Sequence, residues 1–425
     1  MKHSLLPMLA AGMLAYTAGA QNFVQISTGA GYGQQSFYRL EDDETVNLPL
    51  TSWDIAFSTI GLADAAIHIN EGAASGTGAL PALELYLSPS GGFSDPVDIS
   101  GLTDRLFNDE KSWNAGALNS VADPGNPFDL GWGLYDPLSH AIEASRVFAL
   151  KLRDGSYKKF IIESLAGGVY TIRYANLDGS AETTATIAKA DFPDTELAFF
   201  SFSTGETLAN GPEQSWDLTF CRYITPLDDG TGNFLDYAVT GILSGYGTET
   251  VEARGIDPAT VEIETYIDSF QTDLDVIGYD WKTFSFTDGW VLPSDVAYFV
   301  KKADGHIWKL VFVDFEGSGT GTATFEKTDM GTLSSTQSPL GELTALSIFP
   351  NPAPAEATLA FTTATNLPLQ ISIRDVSGKT LWQAPLQATE GFNAIQLPVS
   401  NLPQGLYFLS MSNGNRTAVT KLIRS

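Results

Sequence analysis

Ala297-Tyr298-Phe299-Val300-Lys301-Lys302-Ala303-Asp304-Gly305-His306-Ile307-Trp308-Lys309-Leu310-Val311-Phe312-Val313 is the stretch that decides the fold. Apolar residues with a period of two flank an Asp-Gly pair, and glycine tolerates the positive φ that a tight hairpin demands. Val147-Phe148-Ala149-Leu150-Lys151-Leu152 ahead of Asp154-Gly155 reads the same way, as does Leu369-Gln370-Ile371-Ser372-Ile373 ahead of Ser377-Gly378. Between such runs, 40 Gly and 21 Pro cut the chain into short segments, which favours strands over helices. Only Leu102-Thr103-Asp104-Arg105-Leu106-Phe107 offers a short helix. The expected fold class is all-β.

The chain repeats itself. Asn47, Pro49, Ser52, Trp53, Asp54 and Phe57 recur as Asn210, Pro212, Ser215, Trp216, Asp217 and Phe220, at a constant offset, 216 − 53 = 163. Lys151, Asp154, Gly155 and Lys159 recur as Lys301, Asp304, Gly305 and Lys309, offset by 304 − 154 = 150. A period this long implies two similar, mostly antiparallel β domains rather than a solenoid of short repeats. The expected boundaries are 21–190 and 191–330, followed by a Ser/Thr/Gly/Pro linker over 331–345. Trp53 and Trp216, at matching places, are assigned to the two cores.

Composition narrows the class of protein. Of 425 residues, 43% are hydrophobic, enough apolar surface to offset chain ordering. Fifty acidic residues against 23 basic ones give a net charge of −27, which repels phosphate backbones and anionic lipid and so excludes nucleic acid as a partner. Lys2 and His3, apolar Leu5 to Ala15, and Ala18-Gly19-Ala20 read as a signal peptide over 1–20, cleaved near Ala20. That apolar stretch is too short to span a bilayer. Cys221 stands alone, so no internal disulfide forms, and its alternating neighbours place it on a strand.

The end of the chain carries a series of motifs in order. They are Leu346-Ser347-Ile348-Phe349-Pro350-Asn351-Pro352, Asp375-Val376-Ser377-Gly378-Lys379, Leu402-Pro403-Gln404-Gly405-Leu406-Tyr407-Phe408 and Lys421-Leu422-Ile423-Arg424-Ser425. Residues 346–425 thereby resemble the C-terminal sorting domain of type IX secretion cargo. The resemblance implies an immunoglobulin-like β-sandwich, recognition by the type IX secretion machinery, and an extracellular or outer cell-surface address. Lys421 and its neighbours belong to the recognition surface by that resemblance.

The two repeats resemble the HmuY-like family of secreted haem-capturing proteins. The second carries Phe200-Ser201-Phe202-Ser203-Thr204-Gly205-Glu206, Trp216-Asp217-Leu218-Thr219-Phe220, Trp281-Lys282-Thr283-Phe284 and Tyr298-Phe299-Val300-Lys301-Lys302-Ala303-Asp304-Gly305. The first carries Trp53-Asp54-Ile55-Ala56-Phe57, Ile69-Asn70-Glu71-Gly72 and Trp132-Gly133-Leu134-Tyr135. The resemblance implies a non-catalytic binding role with haem as cofactor, held by axial His or Met ligands. No residue here falls on a family ligand motif. His68 and His140 form a bis-His site only if folding brings them together. Each also has an ordinary structural reading, His68 on a strand beside Ile67 and Ile69, His140 in the turn after Asp136-Pro137-Leu138-Ser139. His306 and Met330 are further ligand types with equally ordinary readings.

Catalytic signatures do not emerge. There is no His-Glu-x-x-His motif, no Gly-x-Ser-x-Gly elbow and no phosphate-binding loop. The run Gly29-Ala30-Gly31-Tyr32-Gly33 reads as a flexible loop. Asp228-Asp229-Gly230-Thr231-Gly232-Asn233 and Asp123-Pro124-Gly125-Asn126 lack the EF-hand order and read as solvated turns. Three functions follow: non-catalytic ligand capture, a structural or adhesive surface protein, and, remotely, a carboxylate-based glycan hydrolase.

Overall fold

The computed structural model describes residues 22–61, 64–76, 81–208, 211–332, 343–354, 356–363, 365–375, 379–413 and 417–424. The signal peptide expected over 1–20, residues 333–342 of the expected linker and the turn expected at Ser377-Gly378 lie outside the described residues. Strands joined by turns and short 3-10 segments make up the protein, with no α-helix among the described residues, so the fold is all-β. The chain divides into two compact units, one ending at Thr332 and one following it.

Within the first unit two antiparallel sheets share one plan. The first runs in spatial order Thr183–Ala188, Val169–Asn176, Tyr157–Ala166, Phe148–Lys151, Glu84–Leu87, Arg105–Leu106. The second runs Asn22–Ser27, Thr322–Thr332, His306–Phe315, Val296–Lys301, Glu249–Arg254. The two Asp-Gly hairpins superpose in function. Asp154 Oδ1 accepts from Ser156 N at 2.9 Å and Asp304 Oδ1 from His306 N at 2.9 Å, with Gly155 and Gly305 at φ 84° and 86°. Lys159 and Lys309 then each donate to a carbonyl in the loop after the equivalent strand, Asp95 O and Pro258 O, both at 2.8 Å.

Two smaller sheets show how the repeats join. Ile55–Ser58 pairs with Leu197–Ser201 on one side and Ile67–Ile69 on the other. Correspondingly, Leu218–Asp228 pairs with Gln34–Tyr38 and Phe234–Ser244. The N-terminal strand Asn22–Ser27 also runs antiparallel to Thr322–Thr332, from Asn22 opposite Lys327 to Ser27 opposite Thr322. Residues 22–49 therefore complete the module that contains 218–332, and residues 197–207 complete the module built on 55–188.

This corrects the boundary expected near 190. Three ladders cross it, and the spatial modules are 55–207 and 218–332 with 22–49. The matching Trp-Asp segments fix the period of a repeat but carry no information on its phase. Strand pairing sets the phase, and it starts each module at its Trp-Asp strand.

Burial follows the same division. One core holds Phe57, Trp132, Phe148, Phe160, Tyr170 and Phe200. The other draws Val24, Ile26, Tyr38 and Leu40 from the N-terminal segment onto Trp281, Tyr298, Phe312 and Phe325. A third cluster, Phe37, Leu48, Trp53, Ala56, Leu197, Phe199 and Trp216, lies on the seam and takes members from both modules. The short helix expected over 102–107 is instead the edge strand Arg105–Leu106, paired with Glu84–Leu87. Six residues are too few to sustain an isolated helix, while an open sheet edge offers the backbone partners at once. The glycine run near the N-terminus is a tight turn seated on its neighbour: Gly31 has φ 65°, and a Cβ there would stand 2.3 Å from Ser75 O.

The second unit is a sandwich of seven strands. Leu343–Phe349, Ala357–Thr363 and Gly391–Leu397 form one sheet. Thr380–Ala388, Leu367–Asp375, Gly405–Ser412 and Thr417–Arg424 form the other. Phe361, Ile371, Ile373, Leu409, Met411 and Leu422 are its buried centre, and Lys421 is exposed.

Candidate functional site

The seam between the modules holds a cavity of about 50 Å³. Gln35 and Phe37 reach it from the N-terminal segment, Trp53 from the first Trp-Asp strand, Phe199 from the exchanged strand, and Cys221 and Tyr223 from the second module. The loop 70–72 forms one wall. Arg153, beside the first Asp-Gly turn, holds that wall by donating to Leu50 O, Gly72 O and Asn70 O at 3.0, 2.6 and 3.1 Å. Asn70 Nδ2 adds bonds to Leu50 O and Trp53 O, each at 3.0 Å.

Two titratable groups are sealed into this wall. Glu71 Oε1 accepts from Asn108 N at 2.6 Å, and Oε2 from Ile224 N, across the seam, at 3.4 Å. Burial pushes its carboxyl up to about 8, against which those N–H groups pull only weakly, so the neutral form prevails at pH 7. His68 is 3% exposed, and burial lowers its imidazole to about 4. Its Nε2 lies 3.1 Å from Trp113 O, a carbonyl that can only accept, which fixes the proton on Nε2. Burial raises the Cys221 thiol well above the ordinary range, so the thiolate needed for nucleophilic chemistry is disfavoured.

His140, the other haem-ligand candidate, stands in a different environment. It occupies a turn at φ 56°, exposed, with Nδ1 2.8 Å from Tyr135 Oη. His68 and His140 do not together fit a bis-His haem site: one is sealed and hydrogen-bonded, the other projects from a surface turn. Nor does a cavity of about 50 Å³ admit a porphyrin, since pockets for ligands of that class run to several hundred Å³. His306 stacks on Trp308 with ring centroids 5.1 Å apart and contacts Asp329 Oδ1 through Nε2 at 2.6 Å. Trp308, Lys327 and Asp329 line an open surface groove of about 760 Å³.

The acidic turns are occupied with their own backbone. Asp228 Oδ1 accepts from Gly230 N and Gly232 N, Asp229 Oδ1 from Thr231 N, and Asp123 Oδ1 from Gly125 N. Of the tryptophans, Trp53, Trp132, Trp216, Trp281 and Trp308 are buried. Sequence reasoning passed over Gln35, Glu71 and Tyr223 as site residues. Ile69-Asn70-Glu71-Gly72 is visible as a motif, but nothing in the sequence marks Glu71 as buried.

Residues 347–425 match the family described as the secretion system C-terminal sorting domain. No curated protein matches the chain. Among solved structures, dimeric latent PorU from Porphyromonas gingivalis is similar at 12% identity, over 95% of this chain and 34% of that one, with a TM-score of 0.17. A biofilm-associated protein BSP domain follows at 10% identity, 99% and 85% coverage and a TM-score of 0.17. The Escherichia coli alpha-2-macroglobulin stands at 10%, 95%, 23% and 0.17. This chain spans about a third of the PorU chain, and at such scores the likeness carries nothing about fold or role. No helix among the described residues is long and apolar enough to cross a membrane. The C-terminal unit is a type IX secretion sorting domain, which makes this chain a protein exported by that system to the outside of the cell.

Proposed function

We propose that the first unit is a non-catalytic structural or adhesive module pair, displayed or released by type IX secretion, with no haem held between His68 and His140. The observation that carries this reading is His68. The residue type that haem capture needs is sealed 3% exposed in the seam, its Nε2 committed to Trp113 O. A ligand used in this way builds the fold. Adhesion or display suits the acidic surface, since a net charge of −27 keeps an exported protein soluble while it presents its loops.

A second reading, haem capture elsewhere on the module pair, rests on His306, which stacks on Trp308 in the wall of the larger groove, where there is room that the seam lacks. Haem titration of the mature chain separates the two. The structural reading expects no saturable Soret shift in either iron oxidation state. A shift at one equivalent that His306→Ala abolishes favours capture at the groove. A shift abolished by His68→Ala or His140→Ala overturns the fit argument above. Hydrolysis of a glycan panel would replace both readings by a carboxylate-based hydrolase.

A further inference from the structure

The seam cavity has a property that apolar packing does not explain. Its walls are mostly aromatic and aliphatic, yet four polar atoms of residues lining it have no partner among the described residues: Trp53 Nε1, Gln35 Oε1, Tyr223 Oη and Arg222 Nε. Trp53 is 4% exposed and Tyr223 5%, so bulk solvent does not serve them. Buried donors and acceptors are paired in stable proteins, because an unpaired one forfeits its hydration without return. Here Trp53 Nε1 and Arg222 Nε are obligate donors, Gln35 Oε1 is an acceptor, and Tyr223 Oη can be either.

We infer that the cavity is a binding site for water, built into the seam between the two modules. Its volume of about 50 Å³ exceeds the ~10–15 Å³ that one water requires and leaves room for a few at most. Water matches the polar set: it accepts from the Trp53 indole N–H or the Arg222 Nε–H, donates to Gln35 Oε1 and bonds to the Tyr223 hydroxyl in either sense. An apolar guest leaves all four unpaired. The contributors come from the N-terminal segment, the first Trp-Asp strand and the second module, so the bound water ties together pieces that strand exchange has brought to one place. Water held by several such bonds exchanges with bulk more slowly than surface water.

The test is performed on the mature full chain in solution. Nuclear Overhauser spectra are expected to show a cross-peak from water to the Trp53 indole proton with the sign of a long-resident molecule. The peak should be lost in Trp53→Phe, which assigns it, and weakened in Tyr223→Phe, which removes one of the water's partners. Xenon pressure is expected to leave the resonances of Leu197 and Phe199 unmoved. Absence of the water cross-peak in the wild-type chain overturns the inference, and saturable xenon shifts at those residues in its place identify a dry cavity.

Discussion

Asp54 and Asp217 make the same pair of bonds, each to a strand from the other sequence repeat. Asp54 donates its N–H to Phe200 O at 2.8 Å and accepts from Phe202 N through Oδ2 at 2.7 Å. Asp217 donates its N–H to Tyr38 O at 2.9 Å and accepts from Leu40 N through Oδ2 at 2.7 Å. Both carboxyls are raised by burial, opposed by the very N–H groups they receive. The two residues lock the exchanged strands into place, one per module.

Asp54→Ala and Asp217→Ala should therefore cost similar amounts. Each leaves a buried backbone N–H without its acceptor, a loss of ~1–3 kcal/mol. Denaturant unfolding of the single variants should give midpoints lowered together. A large cost for one and none for the other would show that only one module depends on exchange.

Glu71 sets a pH dependence. Its folded carboxyl lies at about 8, above the ordinary value of 4.5, so folding favours the protonated form. Its contribution is fully present below pH 4.5, falls as the unfolded chain ionises, and is lost as pH rises through 8. Glu71→Gln should flatten the decline in stability between those values, measured by thermal unfolding across pH. An unchanged decline would place its cause elsewhere.

His68 acts in the opposite sense. Its folded value of about 4 lies below the ordinary 6.5, so the contribution of the neutral ring is present above pH 6.5 and is lost as pH falls through 4. His68→Gln, which retains a donor toward Trp113 O, should remove that acid-side loss. Retention of the loss in the variant would contradict the sealed, neutral histidine.

Truncating Ile26 tests the closing strand. Ile26 is 2% exposed and faces the second core, so Ile26→Ala should destabilise by about 2–5 kcal/mol. A loss below 1 kcal/mol would mean that the N-terminal strand is not seated there.

Much of this architecture is legible in the sequence, because hairpin chemistry is local. Asp154-Gly155 and Asp304-Gly305 announce their turns, and period-two runs such as Trp308 to Val313 announce the strands beside them. The sandwich of the tail follows from its motifs alone. The pairing of Gln34–Tyr38 with Leu218–Asp228 is not legible, since contacts between residues some 180 apart leave no periodic trace. The site is obscured for a related reason. Glu71 reads as one acidic residue among fifty, and only the approach of Ile224 from the other repeat makes it a buried carboxyl. His68 shows its strand alternation but not the Trp113 carbonyl that occupies it.

Cross-linking Gln25→Cys to Thr324→Cys tests the strand exchange most directly. These residues stand opposite each other in the closing ladder, with Gln25 Nε2 3.3 Å from Thr324 Oγ1. The account predicts that the mature double variant oxidises to a disulfide without loss of fold. Closing a loop of 299 residues should stabilise it by on the order of 5 kcal/mol against its reduced form. Two free thiols, both open to alkylation in the folded chain, would contradict it.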